Sequence, residues 1–266
     1  MKIAYVSGVF FPQPGGAQVQ CHNFANKLIE NNHDIDFYIF RKTNIKNNKY
    51  NIIKINYFFL SVVYFFLYHL NFDLSFLLNF WIKKLSKKNY NLWHFNFINF
   101  KSLILINCLK KFNQKIIVTF QGVDIQLHPE IKYGYRLDKK YDVYLKKTLK
   151  NIDKFISISQ NIKNDLIKLN VLKSKIKNIP NSVHIEKFEK IIVEKKIQEQ
   201  LIMITVGRFA RQKKGFDLIG NFCNHLRKKK IKFKWKIIGK NTSKILEQNI
   251  IKENADDIEI IENIEN

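Results

Sequence analysis

The chain is poor in several residue types that mark particular classes of protein. Its three cysteines, Cys21, Cys108 and Cys223, are odd in number, widely separated and in no C-x-x-C pair. This usage gives no support to a disulfide framework or a zinc site, and it suits a reducing cytosol. Glycine and proline are also scarce, with nine and four among 266 residues, and only five of the 46 basic residues are arginines.

The 22 acidic residues are outnumbered by the 46 basic ones, so the formal net charge is +24. Such a charge normally points to nucleic acid or an anionic membrane, because clustered basic side chains attract phosphates. Here the excess is almost all lysine, in a sequence rich in Asn, Ile and Phe, which is typical of drift toward A/T-rich codons. We therefore interpret the charge as a solvated lysine surface and expect no specific nucleic-acid partner.

Hydrophobic residues make up 46% of the chain, enough to bury one large core or two modest ones, so disorder is excluded. The first residues, MKIAYVSGVFF, contain one lysine and no small-residue cleavage site, and Pro12 follows at once. A first β-strand explains them better than a signal peptide does. Together with the cysteine usage, this predicts a cytoplasmic protein.

Short apolar runs alternate with longer amphipathic segments, a pattern typical of parallel sheets covered by helices. In the first part of the chain, strands are predicted at Ile3–Val6, Ile35–Phe40, Ile52–Ile55, Leu92–Phe95, Ile116–Phe120 and Lys154–Ile158, and helices at Ala17–Asn31, Lys101–Phe112, Asp138–Asn151 and Ile162–Leu169. A second series has strands at Leu201–Val206, Phe233–Ile238 and Ile258–Ile261 and helices at Phe216–Lys228 and Ser243–Lys252.

The two series predict an α/β protein with two Rossmann-like parallel-sheet domains, residues 1–185 and 186–266, with the boundary in Pro180–Gln200. A doubly wound sheet needs five or six strands to cover both faces, and the second series has three. The second domain is therefore expected to be incomplete. An apolar face around Ile204, Ile237 and Ile260 should then lie uncovered.

One segment is almost continuously apolar. It runs over Tyr57–Leu70 and resumes over Leu74–Trp81, so it falls short of the roughly 20 residues that a transmembrane helix needs. Two interpretations stay open. The segment is either a buried or partly exposed helix pair, or a helix in the membrane interface, because Lys83, Lys84, Lys87 and Lys88 follow and suit anionic headgroups.

Two glycine-containing turns follow predicted strands. Gly15 and Gly16 precede the first helix, where backbone amides can approach an anion or where glycine merely serves a turn. The segment Val206–Leu218 is more specific, because Arg208 and Lys214 lie between glycines where a strand ends and a helix begins. A guanidinium fork and an ammonium can hold a diphosphate without metal, although an exposed charged loop is the alternative.

The segment Val206–Leu218, with VGR and KG-D-L, resembles the donor-phosphate motif of family-4 glycosyltransferases. Further landmarks of that family follow the same order along essentially the whole chain. They are Gly15-Gly16, Leu92-Trp93-His94, Val118–Asp124, Ser157–Ser159, and Ile179–Val183 with Phe188. The resemblance implies a GT-B fold, in which two Rossmann-like domains face a cleft and the first binds the acceptor and the second the nucleotide.

The resemblance also implies roles for individual residues. Arg208 and Lys214 would bind the donor diphosphate, Gly16 would approach it from the other domain, and Gly239 would lie near the nucleoside. Gln121 stands where the family usually has a histidine near the reacting sugar, and its amide can hydrogen-bond but cannot titrate. No metal or cofactor is expected, since the nucleotide sugar is a substrate.

Two further departures from the family's pattern concern the segment that joins the two domains and the end of the chain. The family's usual PNGVD appears as PNSVH, Pro180–His184, which lacks the glycine and the acid. The family's pair of glutamates near the donor sugar and the ribose would lie beyond Asn266, so we expect a C-terminally truncated chain that is inactive by itself.

Other candidate residues have ordinary explanations. Asp34-Ile35-Asp36 imitates a metal-binding D-x-D but opens an early strand, and no metal role is expected. The histidines His94, His128 and His184 have no ligand-like spacing, so each is interpreted as structural. Ser159 precedes a predicted helix and suits an N-cap better than a nucleophile.

The resemblance predicts retaining, metal-independent transfer of a sugar from a nucleoside-diphosphate sugar to a lipid-linked or saccharide acceptor. The expected setting is assembly of a bacterial surface polysaccharide, lipopolysaccharide or capsule, at the inner face of the plasma membrane. Two alternatives remain. They are a sugar-nucleotide epimerase on the same fold, and a non-catalytic remnant that serves as a basic, membrane-associated binding module.

Overall fold

The computed structural model describes residues 1–8, 15–40, 49–55, 57–183, 200–210, 212–247 and 255–262. The chain divides into two compact units, Met1–Val183 and His184–Asn266. Each unit is built around a parallel sheet of its own. The division falls within the segment Pro180–Gln200.

The first unit contains a parallel sheet of seven strands. They are β1 (Lys2–Ser7), β2 (Asp34–Ile39), β3 (Asn51–Lys54), β4 (Leu92–Asn96), β5 (Ile116–Phe120), β6 (Lys154–Ser157) and β7 (Ile176–Asn178). Their order is β3-β2-β1-β4-β5-β6-β7, so the direction of winding reverses between β1 and β4. Ligands of doubly wound sheets bind outside the carboxyl ends of the strands at such a switch point.

Six strands were expected in this unit, and β7 is the addition. It pairs with β6 over three residues, of which only Ile176 is buried. A run this short has no alternation that sets it apart from a loop, so the sequence pattern does not reveal it.

Helices cover both faces of this sheet. They are α1 (Gly16–Glu30), α2 (Tyr57–Leu70), α3 (Asn79–Ser86), α4 (Phe100–Lys110), α5 (Lys139–Leu149) and α6 (Gln160–Lys168). Successive strand residues point to opposite faces, so Ile3 and Tyr5 pack in one cluster with α1 while Ala4 and Val6 join the larger cluster on the other face. Burial on both faces explains the continuous apolar runs of the strands.

The apolar segment after residue 56 forms a pair of helices, α2 and α3. Leu60 and Val63 of α2 are buried against the core, whereas Phe58 and Phe65 on the same helix are exposed. Within the part of the chain that the structure describes, no helix is long and apolar enough to cross a membrane. The helix pair is thus partly exposed, and its outward surface is aromatic.

The second unit contains a parallel sheet of three strands in the order β10-β9-β8. The strands are β8 (Leu201–Val206), β9 (Phe233–Ile238) and β10 (Ile258–Ile261), and one helix, α7 (Ile219–Lys228), packs on one face. The helix was predicted to begin at Phe216, and it begins three residues later, at Ile219. A 3₁₀ segment, Thr242–Glu247, replaces the start of the helix predicted at Ser243–Lys252, whose last five residues lie outside the described ones.

The uncovered face of this sheet differs from the expected one. Ile237 is fully buried, and Ile260 packs against the same core, because both point toward α7. Ile204 is on the other side and is 61% exposed, together with Val206 at 75%. Successive side chains of a strand point to opposite faces of the sheet. Ile237 and Ile260 point to the face that α7 covers, and Ile204 points to the open face, so the three isoleucines do not share one face.

Candidate functional site

In the first unit, the candidate site begins at the switch point between β1 and β4. Gly8 follows β1, and its N–H donates to the carbonyl oxygen of Phe97 at 3.1 Å. A Cβ at Gly8 would lie 2.3 Å from that oxygen, so only glycine permits this approach. Gly16 is the first residue of α1 and has open space around its Cα, whereas residues 9–14 of the turn lie outside the described ones.

Gln121 directly follows β5 at the carboxyl edge of the sheet. Its Nε2 donates to Asn96 Oδ1 at 2.9 Å, and its Oε1 accepts from Asn181 Nδ2 at 3.1 Å. Asn96 in turn donates through Nδ2 to the Tyr5 hydroxyl at 2.7 Å. The Gln121 amide is therefore oriented by partners on two sides, and each of its polar atoms keeps one further hydrogen-bonding position.

Asp124 holds the backbone of the same loop. The carboxylate is fully buried and accepts from the N–H groups of Gln121 at 3.0 Å, Gly122 at 2.9 Å and Ile98 at 3.3 Å. Burial raises the pKa of Asp124 to about 7, and these three hydrogen bonds only partly oppose it. The loop that carries Gln121 thus depends on an acid that titrates near neutral pH.

The histidines do not form a catalytic or metal-binding group in the described parts of the chain. His94 is buried and contacts Thr119 Oγ1 through Nε2 at 2.8 Å, and burial lowers its pKa to about 4, so the ring is neutral. His128 pairs with Glu130 at 3.0 Å on the surface. His184 lies outside the described residues.

The remaining candidates have structural roles. Ser159 is confirmed as an N-cap, since its side chain accepts from the N–H of Ile162. Asp36 accepts from the Tyr90 hydroxyl and from Asn51, which explains its buried position in β2. Among the described residues there is no group of three or more His, Cys, Asp or Glu that could hold a metal ion.

In the second unit, the glycine-flanked turn lies at the carboxyl end of β8. The N–H of Gly207 donates to Ile238 O at 2.8 Å, and the N–H of Phe209 donates to Lys240 O at 3.0 Å. Gly239 has φ +142°, and a Cβ there would lie 2.3 Å from Gly207 O. The turns after β8 and β9 therefore pack directly against each other, and this close contact requires a glycine at position 239.

Three cations come together at this turn. The pKa of Lys213 is lowered, first by partial burial and then by the positive charges of Arg208 and Lys214. Within the described ranges, neither Arg208 nor Lys214 forms a salt bridge, and both are exposed. Like charges held close together favour an anionic ligand, and phosphate oxygens suit the side chains of both Arg208 and Lys214. Arg211 lies outside the described residues.

The model of a protein family, Glycosyltransferase Family 4, matches residues 14–187 of this chain. The chain belongs to glycosyltransferase family 4. It is accordingly a glycosyltransferase, and the resemblance noted from the motifs is confirmed. None of the curated protein sequences compared with it matches.

Solved structures show the fold of this glycosyltransferase. HepE from Anabaena, in complex with UDP, is 12% identical over 98% of this chain and 69% of its own, with a TM-score of 0.64. The lipopolysaccharide outer core galactosyltransferase WaaB is 15% identical over 98% and 68%, with a TM-score of 0.62. UDP-GlcNAc 2-epimerase from Methanocaldococcus jannaschii is 14% identical over 100% and 74%, with a TM-score of 0.53.

These likenesses establish the GT-B architecture, in which both sheets are Rossmann-like. They do not separate transferases from epimerases, because both share the fold. The family match makes that distinction, since it covers more than half of the chain.

The structure gives roles to residues to which the motifs of the glycosyltransferase assigned none. Asn96 and Asn181 orient Gln121, Asp124 holds its loop, and Lys213 joins the cation cluster. A polar residue at the carboxyl end of a buried parallel strand, such as Asn96, is a signal that could have been used. Asn181 lies in the segment Ile179–Val183 that the family resemblance marks, but no sequence pattern pairs it with Gln121, 60 residues away.

Proposed function

We propose that this glycosyltransferase transfers a hexose, with retention and without a metal ion, from a nucleoside-diphosphate sugar to a lipid-linked or saccharide acceptor. The observation that carries the proposal is the cluster of Arg208, Lys213 and Lys214 at the carboxyl end of β8. Three positive charges beside a glycine turn offset the charge of a diphosphate, a task that metal ions perform in other enzymes.

Each site residue then has a distinct task. The planar fork of Arg208 contacts two phosphate oxygens, and the ammonium of Lys214 stabilises the charge that grows as the sugar–phosphate bond breaks. The leaving phosphate takes the proton of the acceptor hydroxyl, and Gln121 hydrogen-bonds the reacting sugar through the positions left open by Asn96 and Asn181. Gly16 gives the diphosphate access to backbone N–H groups, and Gly239 leaves room for the nucleoside.

Nucleotide choice is proposed from the neighbours. HepE binds UDP and UDP-glucose, and WaaB is a lipopolysaccharide galactosyltransferase. By analogy, we infer a uridine-diphosphate hexose as donor and a bacterial surface polysaccharide, lipopolysaccharide or capsule, as product. This step rests on likeness of fold.

Calorimetric titration with UDP tests the donor site. A charge-assisted contact contributes about 1.5 to 3 kcal/mol, so Arg208→Ala or Lys214→Ala should weaken UDP binding at least tenfold. Lys229→Ala is the matched control, because this exposed lysine lies at the other end of α7. Equal affinities for wild type and Arg208→Ala would show that the diphosphate binds elsewhere, and loss of turnover with EDTA would contradict metal independence.

We also propose that the protein binds the cytoplasmic face of an anionic membrane through the helix pair α2 and α3. Exposed apolar side chains crowd this surface, and Phe80 is 84% and Phe58 70% exposed. The others are Phe59, Phe65 and Leu70 on α2, and Phe72, Phe76 and Leu77 between the two helices. Exposed lysines at positions 83, 84, 87 and 88 adjoin them, and this combination suits lipid tails beside anionic headgroups.

Vesicle sedimentation tests the membrane contact. Binding should fall with rising salt and with removal of anionic lipid, because the lysine attraction is screened. Replacing both Phe58 and Phe80 by alanine should weaken binding roughly tenfold or more. Leu172→Ala is the control, since this exposed leucine lies far along the chain from α2 and α3. Equal sedimentation with neutral and anionic vesicles would refute the contact.

The open side of the second unit favours the alternative function, a non-catalytic binding module. Beyond β8 the sheet has no further neighbour among the described strands, and Ile204 and Val206 are exposed on the face that α7 does not cover. A cavity of about 230 Å³ next to Lys214 also opens between α7 and β8. A chain in this state would serve as a binding module, and an absence of UDP affinity in wild type would favour that function.

A further inference from the structure

The first unit contains a cleft of about 370 Å³ between α2, the start of α4 and the segment that leads into α5. We call it the tyrosine cleft after its lining residues, which include Tyr64, Tyr68, Asn99, Phe100, Tyr135 and Tyr141. Its volume falls within the range of small-molecule sites.

The aromatic walls of the tyrosine cleft are fixed by mutual contacts. Tyr64 stacks on Tyr68 with ring centroids 5.2 Å apart, and Phe100 contacts the two rings edgewise at 5.5 and 5.2 Å. On the other side, Tyr135 and Tyr141 meet edgewise at 5.5 Å. The rings are therefore held in place before any ligand binds.

The polar groups of the cleft fall into two sets. The hydroxyl of Tyr68 donates to Asp138, and that of Tyr141 donates to Asp124 O at 2.9 Å, so both are used within the protein. Among the described residues, the hydroxyls of Tyr64 and Tyr135 have no hydrogen-bond partner. The same holds for Nδ2 of Asn99, whose Oδ1 caps α4.

The cleft is joined to the loop that carries Gln121. The N–H of Tyr135 donates to Val123 O at 2.7 Å, and the Tyr141 hydroxyl reaches the next residue, Asp124. Asp124 in turn accepts from the N–H of Gln121. A ligand in the tyrosine cleft would thus lie against the same loop as the proposed reacting group, within one unit.

We propose that the tyrosine cleft binds a pyranose ring of the acceptor saccharide, an inference that rests on the proposed transferase function. A pyranose offers an apolar C–H face to aromatic rings and hydroxyls at its edge to hydrogen-bonding groups. A lipid chain would leave the Tyr64 and Tyr135 hydroxyls and the Asn99 amide without partners, which is costly in a desolvated cleft.

Ligand-observed NMR on the 266-residue chain tests the inference, with a panel of methyl hexopyranosides as probes and no donor present. Tyr135→Phe and Tyr64→Phe each remove one hydroxyl and keep the ring packing, and each should weaken glycoside binding roughly threefold to tenfold. Replacing both tyrosines by phenylalanine should weaken glycoside binding at least as much as the more damaging of the two single substitutions. Leu172→Ala, at an exposed position after α6, should bind the glycosides as wild type does.

A UDP titration of the same samples separates this inference from the proposed function. Arg208→Ala should lose UDP affinity and keep glycoside binding, whereas the tyrosine variants should do the reverse. If UDP binds but no glycoside does, or if both Tyr→Phe variants bind glycosides unchanged, the tyrosine cleft is not a saccharide site. Binding of farnesol that depends on Tyr64, without glycoside binding, would assign the cleft to an apolar chain. Glycoside binding without any UDP affinity would sink the donor assignment alone.

Discussion

Replacing Asp124 by asparagine should remove a pH dependence of folding stability from the first unit. Asp124 is fully buried, and burial raises its pKa from near 3.8 to about 7. Between these values the folded chain holds a proton that the unfolded chain has released. The contribution of Asp124 to stability therefore falls as the pH rises from about 4 to about 7 and then levels off. The difference between the two pKa values sets an upper limit of about 4 kcal/mol for this loss.

Asparagine is nearly isosteric with aspartate but cannot ionise. Its Oδ1 can still accept from the N–H groups of Gln121 and Gly122, so the loop should persist, and the part of the pH slope that comes from Asp124 should disappear. Asp124→Ala removes the acceptor of three buried N–H groups and should cost roughly 3 kcal/mol or more at pH 5, at the usual cost of an unsatisfied donor.

Urea unfolding at pH 5 and pH 8, followed by tryptophan fluorescence, measures both effects. A Trp235→Phe background confines the signal to Trp81 and Trp93, which are both in the first unit. Asp165→Asn, on α6, is a control for the loss of one surface charge. Equal changes in unfolding free energy with pH for the parent and for Asp124→Asn would refute the assignment of a raised pKa.

Two further outcomes are expected. Gly239→Ala should destabilise the second unit by roughly 2 kcal/mol or more, because φ +142° strains any residue with a side chain and the new Cβ would meet Gly207 O. Gly207→Ala is the control and should not destabilise the unit, because a Cβ at Gly207 would lie in open space. Equal urea midpoints for the two variants, followed by Trp235 fluorescence, would contradict this prediction. A polypeptide of residues 1–183 should unfold cooperatively by itself, as its sheet is covered on both faces, and a gradual loss of circular dichroism on heating would show otherwise.

The sequence determined the elements and their class. Strands such as β1 and β5 are short, continuously apolar runs, and helices such as α5 and α6 have an apolar stripe and a capping residue, Asp138 or Ser159, at the start. These signals are local, because the direction of a side chain relative to its own strand or helix depends only on position along it. The glycine-flanked turn with Arg208 and Lys214 was predictable for the same reason.

Tertiary structure decided what no single segment contains. The apolar residues of α2 give no polar stripe, so only packing of Leu60 and Val63 on the core shows that Phe58 and Phe65 point outward. The strand order likewise brings Asn96 beside Gln121, 25 residues away, and the segment after β7 brings Asn181 to the same side chain. In the second unit, the side of the sheet on which α7 packs decides that Ile237 is buried and Ile204 is open. A sequence pattern records which residues share a face of one element, whereas partners across a sheet depend on strand order and on which face a helix covers.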